Sequence, residues 1–330
     1  MAAEPIRALV VPVHGGPDVL QVQERPAPEP APGQLLVEVA AAGVNFIDVY
    51  RRQGVYRTDP PFVLGTEFAG RVIATGDGVS DFAVGDVVAT SDGSGAMATR
   101  AVVNASRAVR VPDGLDPEIA AAAMLQGMTA HYLVTSTCPV QHGDDVLIHA
   151  AAGGVGQLLV QLAVARGARV VATVGSAAKA DIARRLGAAE VIRYDEIDGT
   201  DALAAAIRDA SGGGVRVAYD SVGRATFDAS LTALRRRGML VLFGASSGPV
   251  PPVDPQRLNT SGSLFLTRPT LNDYLADADE LRWRAGEVLD SIADGRLHLE
   301  IGGRYPLDRA DQAFRDLEAR KTVGKLLVLP

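Results

Sequence analysis

The stretch DVLIHAAAGGVGQLLVQLAVARGARVVATVGSAAK, Asp145 to Lys179, constrains the fold more than any other part of the sequence. A short apolar run, VLIHA, meets the small residues Ala151, Ala152, Gly153, Gly154, Val155 and Gly156. The helical QLLVQLAVARG and a second apolar run, RVVATV, follow. Strands buried on both faces read as unbroken apolar runs, and small residues at a strand-to-helix turn let backbone N–H groups approach an anion. The spacing therefore predicts a βαβ unit with a dinucleotide-phosphate turn. It departs from the G-x-G-x-x-G pattern in one place: Ala151 stands where the first glycine belongs, with Gly153 and Gly156 in the other two. Alanine is acceptable there if its φ stays negative.

The second departure concerns the acid that usually follows. Val174 ends the second apolar run, where an Asp or Glu would grip a ribose 2′-hydroxyl. Gly175 and Ser176 open the next helix, and Lys179 lies one turn on. Helix N–H groups, a hydroxyl and a cation there suit a 2′-phosphate, so the pattern favours NADPH over NADH. Each residue also has a plainer role, Ser176 as an N-cap and Lys179 as a solvated lysine.

Val146 to Ala165 carries no formal charge over twenty residues, long enough to cross a bilayer. Its glycines, Gln157, Gln161 and His149, and its lack of aromatic anchors, suit a strand, a turn and a buried helix better, so no membrane association is expected. The net charge of −7 offers no counterion-release drive, and no nucleic-acid partner is expected. The single cysteine, Cys138, excludes an intramolecular disulfide and any multi-cysteine zinc site. With no basic, apolar leader in MAAEPIRALVVP, it points to a reducing, cytoplasmic setting.

A length of 330 residues suggests about two domains. From Arg7 to about Arg110, short apolar runs (ALVVPV, LLVEVA, RVIATG, DVVAT, TRAVV) alternate with Gly, Pro and Asp clusters, a β-rich texture. DPEIAAAAMLQGMTAHYLV then reads as a helix entering a new domain. Strands are expected at 146–150, 169–174, 190–194, 216–221, 239–244 and 263–267, with helices near 156–166, 177–186, 200–210 and 224–236. That alternation predicts an α/β, doubly wound parallel sheet. A long helix is expected at about 271–294. The closing KLLVLP can return as a strand to the first sheet, which would make that domain discontinuous.

The chain resembles the medium-chain dehydrogenase/reductase superfamily, and within it the zinc-free quinone oxidoreductases related to zeta-crystallin. The resemblance spans almost the whole sequence: GGPDVL, GVNFIDVYRRQGVY, PFVLGTEFAG, VGDVV, MLQGMTAHYL, HAAAGGVGQ, YDSVG, RRGMLVLFGASSG, LFLTRP and LEARKTVGKLLVLP. It implies a GroES-like, β-rich catalytic domain from residues 1–124 and 268–330, and a Rossmann domain from 125–267. It also implies a homodimer joined along the Rossmann sheet, with NADPH in the cleft between domains.

By the same resemblance, Asn45 and Tyr50 border the nicotinamide and substrate pocket, Tyr56 lies near its entrance as a further catalytic candidate, and Thr129 approaches the nicotinamide. Gly154 and Val155 hold the pyrophosphate. Gly175, Ser176, Lys179 and Tyr194 surround the 2′-phosphate. Ser221 and the turn Phe243, Gly244, Ala245 and Ser246 flank the adenosine and ribose. Leu266, Thr267 and Arg268 line the carboxamide, and Gly324 closes the site. The metal-dependent relatives carry a cysteine at the place of Asn45 and a histidine at the place of Thr66, so no metal is expected.

The implied activity is zinc-independent hydride transfer from NADPH to a quinone, with Asn45 and Tyr50 as hydrogen-bond donors and no obligate protein acid. Two alternatives stay open: reduction of α,β-unsaturated carbonyls, which needs a proton at the α-carbon, and a crystallin-like or RNA-binding role in which NADPH is only held.

Overall fold

A computed structural model of the chain describes residues 4–330. Two compact units divide it, one running to Met128 and resuming at Asp277–Pro330, the other spanning Thr129–Ala276. The sequence had placed these boundaries at 124/125 and 267/268. The first falls inside one helix, α2 (Pro117–Tyr132), where an alanine-rich texture carries no break.

The first unit is β-rich. A three-stranded sheet runs β2 (Gln21–Arg25), β1 (Ile6–Val11), β4 (Phe62–Val63). A larger sheet is built on β3 (Gln34–Val44), which pairs with β5 (Phe68–Thr75) and β7 (Arg100–Asn104). Beyond β5 lie β6 (Val87–Thr90) and β8 (Val109–Arg110). Two register shifts in the β3–β5 ladder bend the long strand so that both neighbours can pair with it. Leu35, Val37, Phe68, Val72 and Phe314 fill the core with no exposure above 1 %, each burial contributing roughly 1.5–3 kcal/mol.

α1 (Phe46–Arg52) follows β3 directly. The chain's end supplies α8 (Ala278–Ala293), β15 (Ile301–Pro306), α9 (Ala310–Glu318) and β16 (Lys325–Leu329). β16 lies antiparallel to β3, with Leu327 opposite Gly43 and Leu326 opposite Val44. The C-terminal strand thus rejoins the N-terminal sheet, as the apolar KLLVLP predicted. α8 packs against α2 at Gly127, where a Cβ would stand 2.5 Å from Val288 Cγ1.

The second unit holds six parallel strands in the order β11 (Glu190–Arg193), β10 (Arg169–Val174), β9 (Asp145–Ile148), β12 (Val215–Asp220), β13 (Leu234–Leu242), β14 (Phe265–Thr267). α3 (Gly154–Ala165), α4 (Ala177–Arg185), α5 (Thr200–Ala210) and α6 (Phe227–Ala233) connect them, and α7 (Gln256–Thr260) precedes β14. The winding reverses between β9 and β12, the place where open α/β sheets receive ligands at the strands' carboxyl ends. The uncharged Val146–Ala165 run resolves into β9, the turn and α3. No helix among the described residues is long and apolar enough to cross a membrane.

Two expectations about helices are corrected. The helix expected at 271–294 begins at Ala278, because the Asp277 carboxylate caps it by accepting from Glu280 N at 2.8 Å. Residues Leu271–Tyr274 form a separate 3-10 turn on the other side of the unit boundary. The helix near 224–236 covers only Phe227–Ala233, since Leu234 pairs with Val215 and the Arg235–Arg237 run is exposed strand. β2 and β15 escaped notice because QVQER and IGGRYP lack an apolar run.

Candidate functional site

In the second unit, the phosphate turn takes its shape from backbone contacts. Ala150, one residue before the missing glycine, carries the positive φ of 52°, while Ala151 is free of that requirement. Gly156 is obligatory: a Cβ there would stand 2.3 Å from Ala150 O and 2.8 Å from Ala151 Cα. Gly154 and Val155 form the first turn of α3, whose N–H groups have no intrahelical acceptor, the arrangement an anion can use. Gln157 secures the turn, its buried amide donating to Ala152 O at 2.9 Å.

Beneath the turn lies a buried relay that the sequence reading did not find. His149 Nδ1 meets Thr173 Oγ1 at 2.7 Å and His149 Nε2 meets Ser230 Oγ at 2.9 Å. Ser230 donates to Asp220 Oδ2 at 2.7 Å, and Asp220 also accepts from Val222 N, Gly223 N and Thr226 Oγ1. With Asp220 taking the Ser230 proton, His149 donates through Nε2 and accepts from Thr173. Burial holds its imidazole below the usual histidine range, partly opposed by Asp220. One neutral histidine thereby joins β9, β10, β12 and α6 directly below the turn.

The other expected cofactor residues of this unit cluster at the carboxyl ends of the same strands. Val174, buried at the end of β10, is followed by Gly175 and Ser176, with Tyr194 beside them. A Cβ on Gly175 would stand 2.5 Å from the Tyr194 hydroxyl, so the phenol end of that ring leaves room only for glycine. Ser176 caps α4, its Oγ accepting from Lys179 N at 3.3 Å. Lys179 itself is partly buried on the first turn of that helix.

Ser221 follows the last residue of β12, and Phe243–Ser246 continue from β13. Ser246 N donates to Ser221 O at 3.2 Å. Gly244 lies so close that a Cβ would stand 2.4 Å from Ser221 O. Leu266 and Thr267 lie on β14, and Arg268 donates to Leu242 O at 3.0 Å. Thr129 sits apart from these ends, on α2 and 8 % exposed.

In the first unit, Asn45 is the N-cap of α1, and its amide is fully engaged. Nδ2 donates to Glu67 Oε2 at 2.7 Å and to Gly43 O at 3.4 Å, and Oδ1 accepts from Lys325 Nζ at 2.7 Å. Lys325 also bonds Glu67, whose Oε1 accepts from Leu125 N at 2.5 Å. Lys325 and Glu67 are at most 1 % exposed, so charge and countercharge are buried together. Gly324 permits this approach: its φ is +66°, and a Cβ would stand 2.2 Å from Glu300 O.

Asp48 accepts from Asn45 N at 3.0 Å. Burial pushes its carboxyl up to about 7, opposed by that hydrogen bond and by Arg51 and Lys325, and assisted by Glu67. Tyr50 and Tyr56 pack edge to face, 5.6 Å between centroids, with Tyr56 44 % exposed. Chemically, the first unit presents phenolic rings at α1 over a rigid internal charge network, and the second presents a row of N–H donors at strand ends.

Lys325 had no local signal, because Asn45 and Glu67 lie 280 and 258 positions away, and Ser230 meets His149 across 81 positions. Glu67 ties the chain at Asn45, Leu125 and Lys325 together. Cys138 is buried, and burial raises its thiol above the usual range, which makes it an inert packing residue.

Residues 31–113 match the alcohol dehydrogenase GroES-like domain family, and residues 154–280 match the zinc-binding dehydrogenase family. The chain is 43% identical over 324 residues to a quinone oxidoreductase of Salmonella typhimurium, covering 96% of this chain and 97% of that one. It is 39% identical to a 2-haloacrylate reductase of a Burkholderia species, covering 98% of this chain and 99% of that one. A mycobacterial protein solved in complex with NADPH superposes with a TM-score of 0.96 at 48% identity, covering 98% of this chain and 100% of that one. The two units, the parallel sheet with its phosphate turn and this similarity along nearly the full length converge: the chain belongs to the quinone oxidoreductases of the medium-chain dehydrogenase/reductase superfamily.

Proposed function

We propose that the protein is an NADPH-dependent quinone reductase. The observation that carries this is the row of groups at the carboxyl ends of β9, β10, β12 and β13. A turn with no room for a Cβ at Gly156, a helix start at Gly154 and Val155, and an acid-free end of β10 at Val174 fit a phosphorylated dinucleotide. NADPH supplies the hydride when bound. Gly154 and Val155 hold its pyrophosphate through backbone N–H groups. Ser176, Lys179 and Tyr194, over Gly175, hold the 2′-phosphate. Ser221, Phe243–Ser246, Leu266, Thr267 and Arg268 border the rest, with Thr129 and Gly324.

For the acceptor, we assign the donor role to Tyr50, with Tyr56 at the entrance. Asn45 becomes a positioning residue, because its amide hydrogens already go to Glu67 and Gly43 O. Phenolic donors stabilise charge developing on a quinone oxygen, and the hydroquinone takes its protons from water. Metal chemistry has little to use at this place: the Glu67 carboxylate and the Asn45 oxygen are both bonded to the Lys325 ammonium.

The test follows loss of nicotinamide absorbance with NADPH or NADH, against a panel of quinones and enones. Quinone-dependent oxidation with NADPH strongly preferred is expected, and no oxidation with any quinone refutes the proposal. The 2-haloacrylate reductase relative and the phenol pair favour reduction of unsaturated carbonyls as a second reading. Loss of turnover in Tyr50→Phe at unchanged NADPH affinity would select it, since only that reaction requires a proton at carbon.

We also propose a homodimer through β14. This strand has one hydrogen-bonded neighbour and leaves Phe265 56 % exposed. Light scattering should give twice the chain mass, and Phe265→Asp should lower it toward the monomer.

A further inference from the structure

The first unit contains an open cavity of about 450 Å³, within the roughly 300–1,000 Å³ of small-molecule sites. Three arginines line it, Arg25 from β2, Arg51 from α1 and Arg100 from β7, and no carboxylate does. In a chain of net charge −7 most arginines find acidic partners, so a lining of one sign is a departure. Among the described residues, Arg25 and Arg51 make no ion pair and no side-chain hydrogen bond. Both are partly buried.

Glu38 stands opposite Arg100 across β3 and β7, and Arg51 acts on the Asp48 carboxyl, but among the described residues no carboxylate hydrogen-bonds any of the three arginines. Arg100 has one long contact, 4.0 Å to Glu4, which is 85 % exposed. Asp48, on the same helix as Arg51, is wholly buried and bonded to Asn45 N, facing away from solvent. Glu24 precedes Arg25 on β2, where successive side chains point to opposite faces. The hydroxyls of Thr58, Thr66 and Ser94 also line the cavity and make no hydrogen bond among the described residues. Unneutralised guanidinium groups beside unused hydroxyl donors form a site for an oxyanion. Phe62 and Val63 supply an apolar wall for the body that carries it.

We propose that this cavity is an anion subsite, taking the carboxylate or sulfonate of a planar, unsaturated acceptor. Two of its lining residues are chain neighbours of groups described above: Thr66 precedes Glu67, and Arg51 follows Tyr50. That the anion belongs to the electron acceptor rests on the reductase assignment above, whereas anion binding itself does not.

Two pairs of probes separate these claims. The first compares 1,2-naphthoquinone-4-sulfonate with 1,2-naphthoquinone as acceptors, read as the ratio of kcat/KM. The second compares binding of 2-naphthoate with that of 2-naphthalenemethanol by calorimetry, with no turnover. In the unaltered protein the charged quinone should be favoured on the order of tenfold, the scale of one charge-assisted hydrogen bond. The preference should shrink toward unity in Arg51→Gln and in Arg25→Gln, and at high salt. 2-Naphthoate should bind, the alcohol should not, and both variants should weaken the binding.

Arg25→Gln, at the end of the edge strand β2, keeps the test valid if Arg51→Gln fails to fold. Naphthoate binding without reduction of either quinone would refute the reductase assignment and retain the subsite. Equal use of both quinones together with no naphthoate binding would overturn the subsite. Naphthoate binding that survives both substitutions would overturn it too.

Discussion

The buried Lys325–Glu67 pair makes a prediction about which part of the chain holds the catalytic unit together. In Lys325→Met the ammonium is lost while the Glu67 carboxylate stays in the core at 0 % exposure. Breaking a buried pair from one side costs about 3–5 kcal/mol. Two donors remain on Glu67, Leu125 N at 2.5 Å and Asn45 Nδ2 at 2.7 Å, which places the cost near the low end. About 3 kcal/mol corresponds to a fall of about 6–12 °C in the thermal midpoint of a unit this size.

Trp283 is the chain's one tryptophan and lies on α8 of the same unit, so its fluorescence follows the relevant transition. Adding Glu67→Gln removes the stranded charge, and the new amide can accept from Leu125 N while donating to Asn45 Oδ1. The double variant should therefore recover more than half of the loss. A midpoint lowered by less than about 2 °C in Lys325→Met would show that the pair does not carry this energy. A double variant no more stable than the single one would refute the stranded-charge argument.

Three further outcomes follow from other parts of the structure. Gly156→Ala places a Cβ 2.3 Å from Ala150 O, so NADPH affinity measured by nicotinamide fluorescence should fall at least tenfold, roughly the 1.4 kcal/mol of a displaced backbone contact, with the Trp283 transition unchanged. In Val174→Asp the preference for NADPH should move toward NADH, read as the ratio of kcat/KM for the two, because a carboxylate beside Ser176 repels a 2′-phosphate and bonds a 2′-hydroxyl. Asp48 titrates at about 7 when folded against 3.8 as a reference, so its stabilising contribution is complete below 3.8 and is lost as pH rises through 7. Asp48→Asn should accordingly gain thermal midpoint relative to the unaltered protein at pH 8 compared with pH 4, and a difference constant with pH would refute that assignment.

The parallel sheet was legible because its cause is local. Strands covered on both faces must be continuously apolar, and VLIHA, RVVATV and MLVLFG are. The phosphate turn and the absent acid at Val174 were legible for the same reason, since a turn of small residues is written in consecutive positions. Helix ends were less so: the 271–294 helix was drawn too long because Asp277 as a cap looks like any surface aspartate until its carboxylate meets Glu280 N.

By itself, then, the sequence determined the strand and helix alternation and the fate of the C-terminal strand, both consequences of neighbouring residues. Only the tertiary structure decided what Asn45 does. Its amide is held by Glu67 and Lys325, and Lys325 lies 280 positions away along the chain. No periodicity records such a contact, because β16 must first pair with β3 to create it. The His149–Ser230–Asp220 relay and the arginine-lined cavity arise in the same way, from side chains on separate strands and helices that meet only after folding.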